Sequence, residues 1–278
     1  MTALVLDIAT TSAILFCVAI GLLFIFGVMK IINFAHGALL TIGGYAALVA
    51  TRMGLSPWLS FALAAIAGLV VGAVIERVVV RPLYGRPLDA ILATWGLAIV
   101  IGQLITLGFG REAQFAESPI HGTIDAFGTD YSGYRILMIA AAAAIGLAVA
   151  AVLHGTRLGL VTRAVIANED LAAGLGINSR RVRFMTFSVG CAFAGLAGAL
   201  ITPLSSVDPN LGVPWLVNAF MLVIVAGASL VGLLAAATLL GGAQVIVATY
   251  ANPVLGGLTI VVIAAVILRL RPKGFAHD

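Results

Sequence analysis

Charged side chains are scarce in this sequence. Asp, Glu, Lys and Arg make up 9% of the 278 residues against 62% hydrophobic, and the mean hydropathy is +1.17. That balance excludes a soluble globular domain, in which about 25% of residues are charged. The long apolar runs carry no Asp, Glu, Lys or Arg at their middles, which argues against a proton-coupled pump or secondary transporter, since these set an ionisable relay inside the membrane. The two cysteines, Cys17 and Cys191, both fall inside apolar runs and read as small packing residues, not as a disulfide or metal pair. No cluster of His, Cys, Asp or Glu has metal-ligand or nucleophile spacing, so neither a metal site nor a membrane enzyme is expected. No G-x-x-x-x-G-K-S/T run occurs, so the chain has no P-loop with which to hold ATP and is not itself an ATPase.

What is present in abundance is apolar sequence in long blocks. A bilayer core about 30 Å thick requires about 20 mostly apolar residues per helical crossing. Such runs lie at 8–29, 37–51, 58–75, 90–109, 136–153, 184–204, 215–231, 232–251 and 254–268. The second and the last are short enough to be re-entrant or tilted. None alternates in the manner of a barrel strand, and backbone polar groups in lipid must be satisfied within the segment, so the expected class is an all-α membrane protein of eight or nine spanning helices. The stretch from Met1 to Asp7 lacks a basic region and the run after it lacks a small-residue cleavage site, so a retained first helix is expected instead of a signal peptide.

The formal net charge of +4 suggests no nucleic-acid partner here, because the basic residues are confined to short connections between apolar runs. One set of connections holds Lys30, Arg77, Arg81, Arg86, Arg157, Arg163, Arg180, Arg181, Arg183, Arg269, Arg271 and Lys273, and the other only Arg52, Arg111 and Arg135, twelve against three of the 15. Positive charge stays on the cytoplasmic side. The N-terminus is therefore expected outside and the C-terminus inside, which favours nine crossings. The outer connection 110–134 carries Glu112, Glu117, Asp125 and Asp130 with several glycines and reads as an exposed loop on which a periplasmic partner can dock.

The inner connection 154–183 is too long for a plain link. Leu160, Ala164, Ala167, Leu171, Ala172 and Leu175 recur at helical spacing, with Arg163, Asn168, Glu169 and Asp170 mostly on the opposite face, and the pattern ends at Gly174-Leu175-Gly176. These residues predict a short amphipathic helix near 160–177, closed by a glycine turn. Such an element suits either a rigid lever on which a soluble ATPase pushes or a helix lying at the headgroups.

Three stretches resemble the permease family of branched-chain amino acid ABC importers: Ile31-Ile32-Asn33-Phe34-Ala35-His36-Gly37-Ala38, the inner segment from Arg163-Ala164 through Asn168-Glu169-Asp170-Leu171 to Gly174-Leu175-Gly176-Ile177-Asn178, and Arg271-Pro272-Lys273-Gly274-Phe275. The resemblance spans nearly the whole chain, which looks like the shorter of two permease subunits. It implies a bacterial inner-membrane uptake system with a second permease, two cytoplasmic ATPases that bind the ATP, and a periplasmic substrate-binding protein; this chain itself binds no cofactor. It also favours the lever reading, with Arg163, Ala164, Asn168, Glu169, Leu171, Leu175 and Gly176 as ATPase-coupling residues. A second likeness, in Arg81-Pro82-Leu83-Tyr84-Gly85-Arg86-Pro87-Leu88, Leu92-Ala93-Thr94-Trp95-Gly96, Asp208-Pro209-Asn210-Leu211-Gly212 and Asn218-Ala219-Phe220-Met221, is to the urea and short-amide branch of that family. A passive channel for a small neutral solute is the competing class. Where the family carries a Gly-rich turn, this chain reads Val225-Ala226-Gly227-Ala228-Ser229-Leu230-Val231-Gly232, with two glycines lost, which implies a tighter or differently shaped path.

Candidate path residues are Asn33, His36 and Gly37, then Thr94, Trp95 and Gln103, and Ser229. Each has a plainer reading. Asn33 suits a helix cap and His36 a place at the cytoplasmic interface. Gln103, and Gln244 with it, suit hydrogen bonds between helices. The small-residue run Gly190–Ala199 suits close helix packing or a moving interface.

Overall fold

A computed structural model describes every residue except Phe127, Lys273 and 276–278; the Lys273 position in the charge count therefore lies outside the described residues. The longest apolar run forms α1 (Thr2–Met29), whose central window is 83% buried by the rest of the chain. Apolar on every side, it is a core element and not a surface helix. Then come α2 (His36–Arg52), α3 (Pro57–Ile75) and α4 (Pro87–Phe109). The connection after α3 stays helical, as a π turn at Glu76–Val80 and a 3-10 turn at Arg81–Leu83. Beyond α4 a small antiparallel hairpin of β1 (Thr123–Asp125) and β2 (Asp130–Ser132) gives the acidic loop a regular tip, which the apolar pattern did not signal.

The second half comprises α5 (Gly133–Gly155), α6 (Arg157–Ala167), α7 (Glu169–Gly174), α8 (Ser179–Ile201), α9 (Gly212–Ala226), α10 (Leu230–Tyr250) and α11 (Pro253–Leu270). Their starts follow local chemistry. Side-chain oxygens of Thr156, Asn168, Asn178, Ser229 and Asn252 accept backbone N–H bonds from the first turns of α6, α7, α8, α10 and α11, and Pro57, Pro87 and Pro253 occupy first-turn positions where no N–H is needed.

Among the described residues, seven helices are long and apolar enough to cross a membrane, counting α3 with its continuation to Leu83 and α8 with its continuation to Leu204. The last apolar segment, α11, is among them at 18 residues, so the expectation that it is short is corrected. The short apolar helices are α2, 17 residues, and α9, 15 residues. At about 1.5 Å per residue neither spans about 30 Å alone.

Helix α8 is the second central element, 67% buried in its span. It packs against α1, α2 and α3 through small residues. A Cβ on Gly43 would fall 1.9 Å from the Gly195 carbonyl oxygen, one on Gly198 1.9 Å from that of Leu40, and one on Gly68 2.4 Å from that of Cys191. The small-residue run in α8 is thus a face on which three helices meet backbone to backbone, the arrangement that maximises dispersion contact where apolar solvent supplies no hydrophobic drive. Gly43→Val or Gly198→Val is expected to destabilise the fold by at least about 1–3 kcal/mol through overpacking, whereas Gly108→Ala, which meets nothing within 4 Å, stays neutral; thermal unfolding of the detergent-solubilised protein distinguishes them.

Candidate functional site at the meeting of two broken helices

The ends of the molecule differ in charge and are identified by their contacts. At one, Thr2 meets Thr129 beside the hairpin, Arg135 pairs with Asp7 at 2.8 Å, and Tyr131 donates to the same carboxylate. Burial pushes the Tyr131 phenol above its ordinary value, which keeps it a neutral donor. At the other end lie Lys30, Arg77, Arg81, α6, α7 and the start of α8.

Helix α1 stops at Met29, where Lys30 adopts a left-handed conformation at φ 51 and returns its N–H to the Phe26 carbonyl. The next five residues are not helical, and the chain turns back. His36, the first residue of α2, brings Nε2 to 2.8 Å from the Val18 carbonyl. Val18 lies 29 − 18 = 11 residues before the end of α1, so α2 begins roughly 16 Å inside that end. Helix α2 then runs to the hairpin end, where Arg52 hydrogen-bonds Gln114.

A second return mirrors the first. After the 3-10 turn Thr202–Leu204 the chain descends from the hairpin end, pairing Val207 with Gln114 through two backbone bonds of 2.7 and 2.9 Å, and α9 starts at Gly212 within the core. Helix α9 runs to the basic end, where the Phe275 N–H caps the Val225 carbonyl at 2.7 Å. The two short helices thus run in opposite directions from a shared starting level. There the Gly212 N–H donates to Thr41 Oγ1 at 3.1 Å and Thr41 donates to the Gly37 carbonyl at 3.2 Å. A Cβ on Gly212 would lie 1.8 Å from the Gly37 oxygen, so only hydrogen fits. The order long buried helix, non-helical return, short helix, two long helices occurs twice, in α1–α4 and in α8–α11, with inverted direction. Inverted repeats that set discontinuous helices at mid-depth are the architecture of membrane solute sites.

Beside this junction opens a groove of about 740 Å³ lined by Phe34, Gly37, Thr41, Trp95, Gln103 and Asn210, with Arg111 and Asp208 toward the hairpin end. Phe34, in the first return, stacks on Trp95 at 6.0 Å and tilts against Phe220 at 5.2 Å, and its N–H donates to Thr94 Oγ1 at 3.2 Å. Helix α4 is therefore latched to the return by Thr94 and Trp95, while Leu92, Ile99 and Leu104 remain exposed.

Of the candidate path residues, Gly37, Trp95 and Gln103 line the groove and Thr94 braces it. Asn33 and His36 are fully buried but hold the return together: Asn33 Oδ1 accepts the Ala35 N–H and His36 faces α1. The interfacial place for His36 is corrected, because the chain has already turned back inward when it reaches that residue. Ser229 caps α10 at the basic end, away from the groove. Gln244 sits in α10 with its Oε1 buried and unpartnered. Sequence reasoning missed Thr41, Asp208, Asn210 and the clamp Phe34–Phe220, although Phe34, Asp208-Pro209-Asn210 and Phe220 lay within motifs it singled out.

The inner segment differs from the single helix expected at 160–177. Asn168 is extended, at φ −158 and ψ 105, and splits it into α6 and α7. The reason is local: an Asn followed by Glu169 and Asp170 makes a better N-cap with an acidic first turn than a helix interior. The predicted apolar stripe divides accordingly. Ala172 is buried, with Val165 beside it, whereas Leu160, Leu171 and Leu175 are exposed. Gly176 holds φ +85, as a helix-closing glycine does. Glu169 pairs with Arg183, the Arg183 guanidinium lies 4.7 Å over the Tyr84 ring, and Tyr84 donates to Glu76. Burial and then the Glu76 bond raise the Tyr84 phenol above its usual range.

This fold is that of a multi-pass membrane permease. The chain belongs to the family described as branched-chain amino acid transport system / permease component, which matches residues 4–269, and it is a protein of the bacterial inner membrane. It is 29% identical to the high-affinity branched-chain amino acid transport system permease protein BraD of Pseudomonas aeruginosa over 297 residues, covering 97% of this chain and 92% of the relative. It is 26% identical to LivH of Escherichia coli, a protein of the same description, over 274 residues, covering 92% and 89%. The probable branched-chain amino acid transport permease protein LivH of Methanocaldococcus jannaschii is 28% identical over 226 residues, covering 78% and 71%. None of these three relatives is named for urea or amides. No solved structure matches the chain.

Thr41→Val removes the acceptor for the Gly212 N–H while keeping shape, and is expected to cost about 1–3 kcal/mol; Thr41→Ser restores it. Thermal unfolding of the two purified variants checks this.

Proposed function

We propose that this chain moves branched-chain or related hydrophobic amino acids inward as one half of a permease heterodimer in an ATP-driven importer. The observation that carries the reading is the groove at the junction of the two broken helices: aromatic and uncharged polar side chains at mid-depth, with Arg111 and Asp208 at its outer mouth. An apolar side chain suits Phe34 and Trp95, while a zwitterion suits one cation and one anion at the entrance. Those residues, with Gly37, Gln103 and Asn210, are the proposed path, completed by a second permease across the open side of α4. The relatives' names support the substrate class.

Under this reading the chain traverses the membrane nine times, two of the traverses being composites of a non-helical return and a short helix. The hairpin end is periplasmic, as is the N-terminus, and receives a substrate-loaded binding protein. The basic end and the C-terminus are cytoplasmic. Two ATPase subunits hold the ATP; this chain holds none, so the chemical step belongs to them. The single permease domain carries α6 and α7 as its lever, with Arg163, Ala164, Asn168, Glu169 and Gly176 shaping it, and Leu171 and Leu175, 64% and 76% exposed, as apolar knobs for an ATPase socket. Motion passes from Glu169 through Arg183 to Tyr84, which borders a cavity shared with Lys30 and Ile31. That cavity adjoins the hinge of the first return, so rocking of α7 re-aims the start of α2 and opens the groove alternately to either side.

Leu171→Asp with Leu175→Asp is expected to reduce leucine uptake by the reconstituted importer at least about tenfold through loss of the ATPase contact, with insertion and binding-protein docking intact. Uptake unchanged in that variant overturns the lever assignment. Urea transported in place of leucine overturns the substrate, and leucine flux without ATP overturns the importer mechanism in favour of a channel.

A further inference from the structure

A separate pocket of about 230 Å³ lies at the basic end, between the π turn that extends α3 and the first turn of α8. Arg77 and Arg81 enter it from one side and Arg180 and Arg181 from the other, and Glu76 is the one acidic residue among those lining it, so the lining carries 4 − 1 = +3. None of these four arginines forms an ion pair with a described carboxylate. Asn178 caps α8 beside them, so the positive end of a 23-residue helix adds to the field. One buried acceptor is left over: Glu76 is fully buried and its Oε1 takes the Tyr84 hydroxyl, but Oε2 has no partner.

The surroundings of the pocket identify its ligand. Both flanking segments are the ends of spanning helices, and below the arginines the exposed positions are apolar. On α3, Val70 and Val74 precede Arg77 and Arg81 at helical spacing, and on α8, Arg181 is followed by Met185 and Val189. A soluble protein does not reach such stripes, but an acyl chain does. We propose that this pocket binds the headgroup of an anionic glycerophospholipid of the phosphatidylglycerol type. Its phosphate lies among the four guanidinium groups, a headgroup hydroxyl donates to Glu76 Oε2, and the chains follow the two valine and methionine stripes. The assignment stands independently of the transported solute.

The test uses the importer purified in detergent with its partner subunits, titrated with phosphatidylglycerol, phosphatidylcholine or inorganic phosphate while thermal unfolding is followed and retained lipid is measured by mass spectrometry. A saturable rise in unfolding temperature with phosphatidylglycerol alone is expected. Replacing all four arginines by Gln weakens phosphatidylglycerol binding at least about tenfold, and Glu76→Gln, which leaves the guanidinium groups in place, weakens it less. An equal shift with inorganic phosphate overturns the proposal in favour of a free-anion site. Equal effects of both phospholipids overturn it, as does undiminished binding by the four-Gln variant. A lipid effect that appears only after the ATPases are stripped away assigns the arginines to the protein interface instead and overturns it too. Should the four-Gln variant fail to insert, the three-probe titration of the unaltered protein decides alone.

Discussion

The architecture depends on satisfying two helix beginnings inside an apolar interior. A helix start leaves its first N–H groups without intrahelical acceptors, and no water is at hand in a bilayer core to take them. Here local chemistry and cross-chain bonds divide the task. Asn33 accepts from Ala35 and His36, Asp208 and Asn210 accept from Leu211 and Val213 through their carbonyls, Thr94 takes the Phe34 N–H, and Thr41 takes that of Gly212. Once these are met, non-helical backbone at mid-depth becomes affordable, and with it a groove edged by polar groups that an unbroken helix would have hidden. The glycine contact between positions 37 and 212 follows from the same requirement, since Thr41 reaches across only if the two backbones touch.

The basic end adds a connected set of charged and aromatic groups. Glu169, Arg183, Tyr84 and Glu76 link the short helices α6 and α7 to the end of α3 and to the left-handed turn at Lys30. Isolated exposed ion pairs contribute little to stability, but this pair is largely covered and braced by a ring. It is better understood as a rigid linkage than as a stability device. The hairpin end has its own fastening in Asp7, Tyr131 and Arg135, so α1 is held at both ends while its middle accepts His36.

Much of the fold was legible in the apolar runs, because a spanning helix announces itself by length. The short helix α2 was also visible as a weak segment. What escaped was depth. Periodicity gives no sign that 31–35 climbs back along α1, because the cue is a hydrogen bond between His36 and Val18, a pair no pattern links. The assignment of the last segment as short failed because α11 outruns its most apolar stretch: it starts one residue earlier, at Pro253 behind the Asn252 cap, and runs two residues further, to Leu270. Between α6 and α7 amphipathic spacing suggested continuity, and the capping preference of Asn168 won. Of the groove's lining, Trp95 and Gln103 had been singled out by asking why polar or amphipathic groups lie in a span. Thr41 and Asn210 were not, as each acts through a partner about 170 residues or more away or through a turn.

The shortness of α2 bears on how the chain is made. A helix that cannot span alone, entered through a non-helical return, offers the insertion machinery no complete crossing to release into lipid. Its neighbours α1 and α3 emerge from the ribosome around it, but the surface into which Leu40 and Gly43 pack belongs to α8, about 150 residues later in synthesis. The nascent first half must therefore wait with an unfinished wall. The junction of the two repeats needs Gly212 against Gly37 and Thr41, so the groove cannot be complete before α9 has been delivered from the opposite direction.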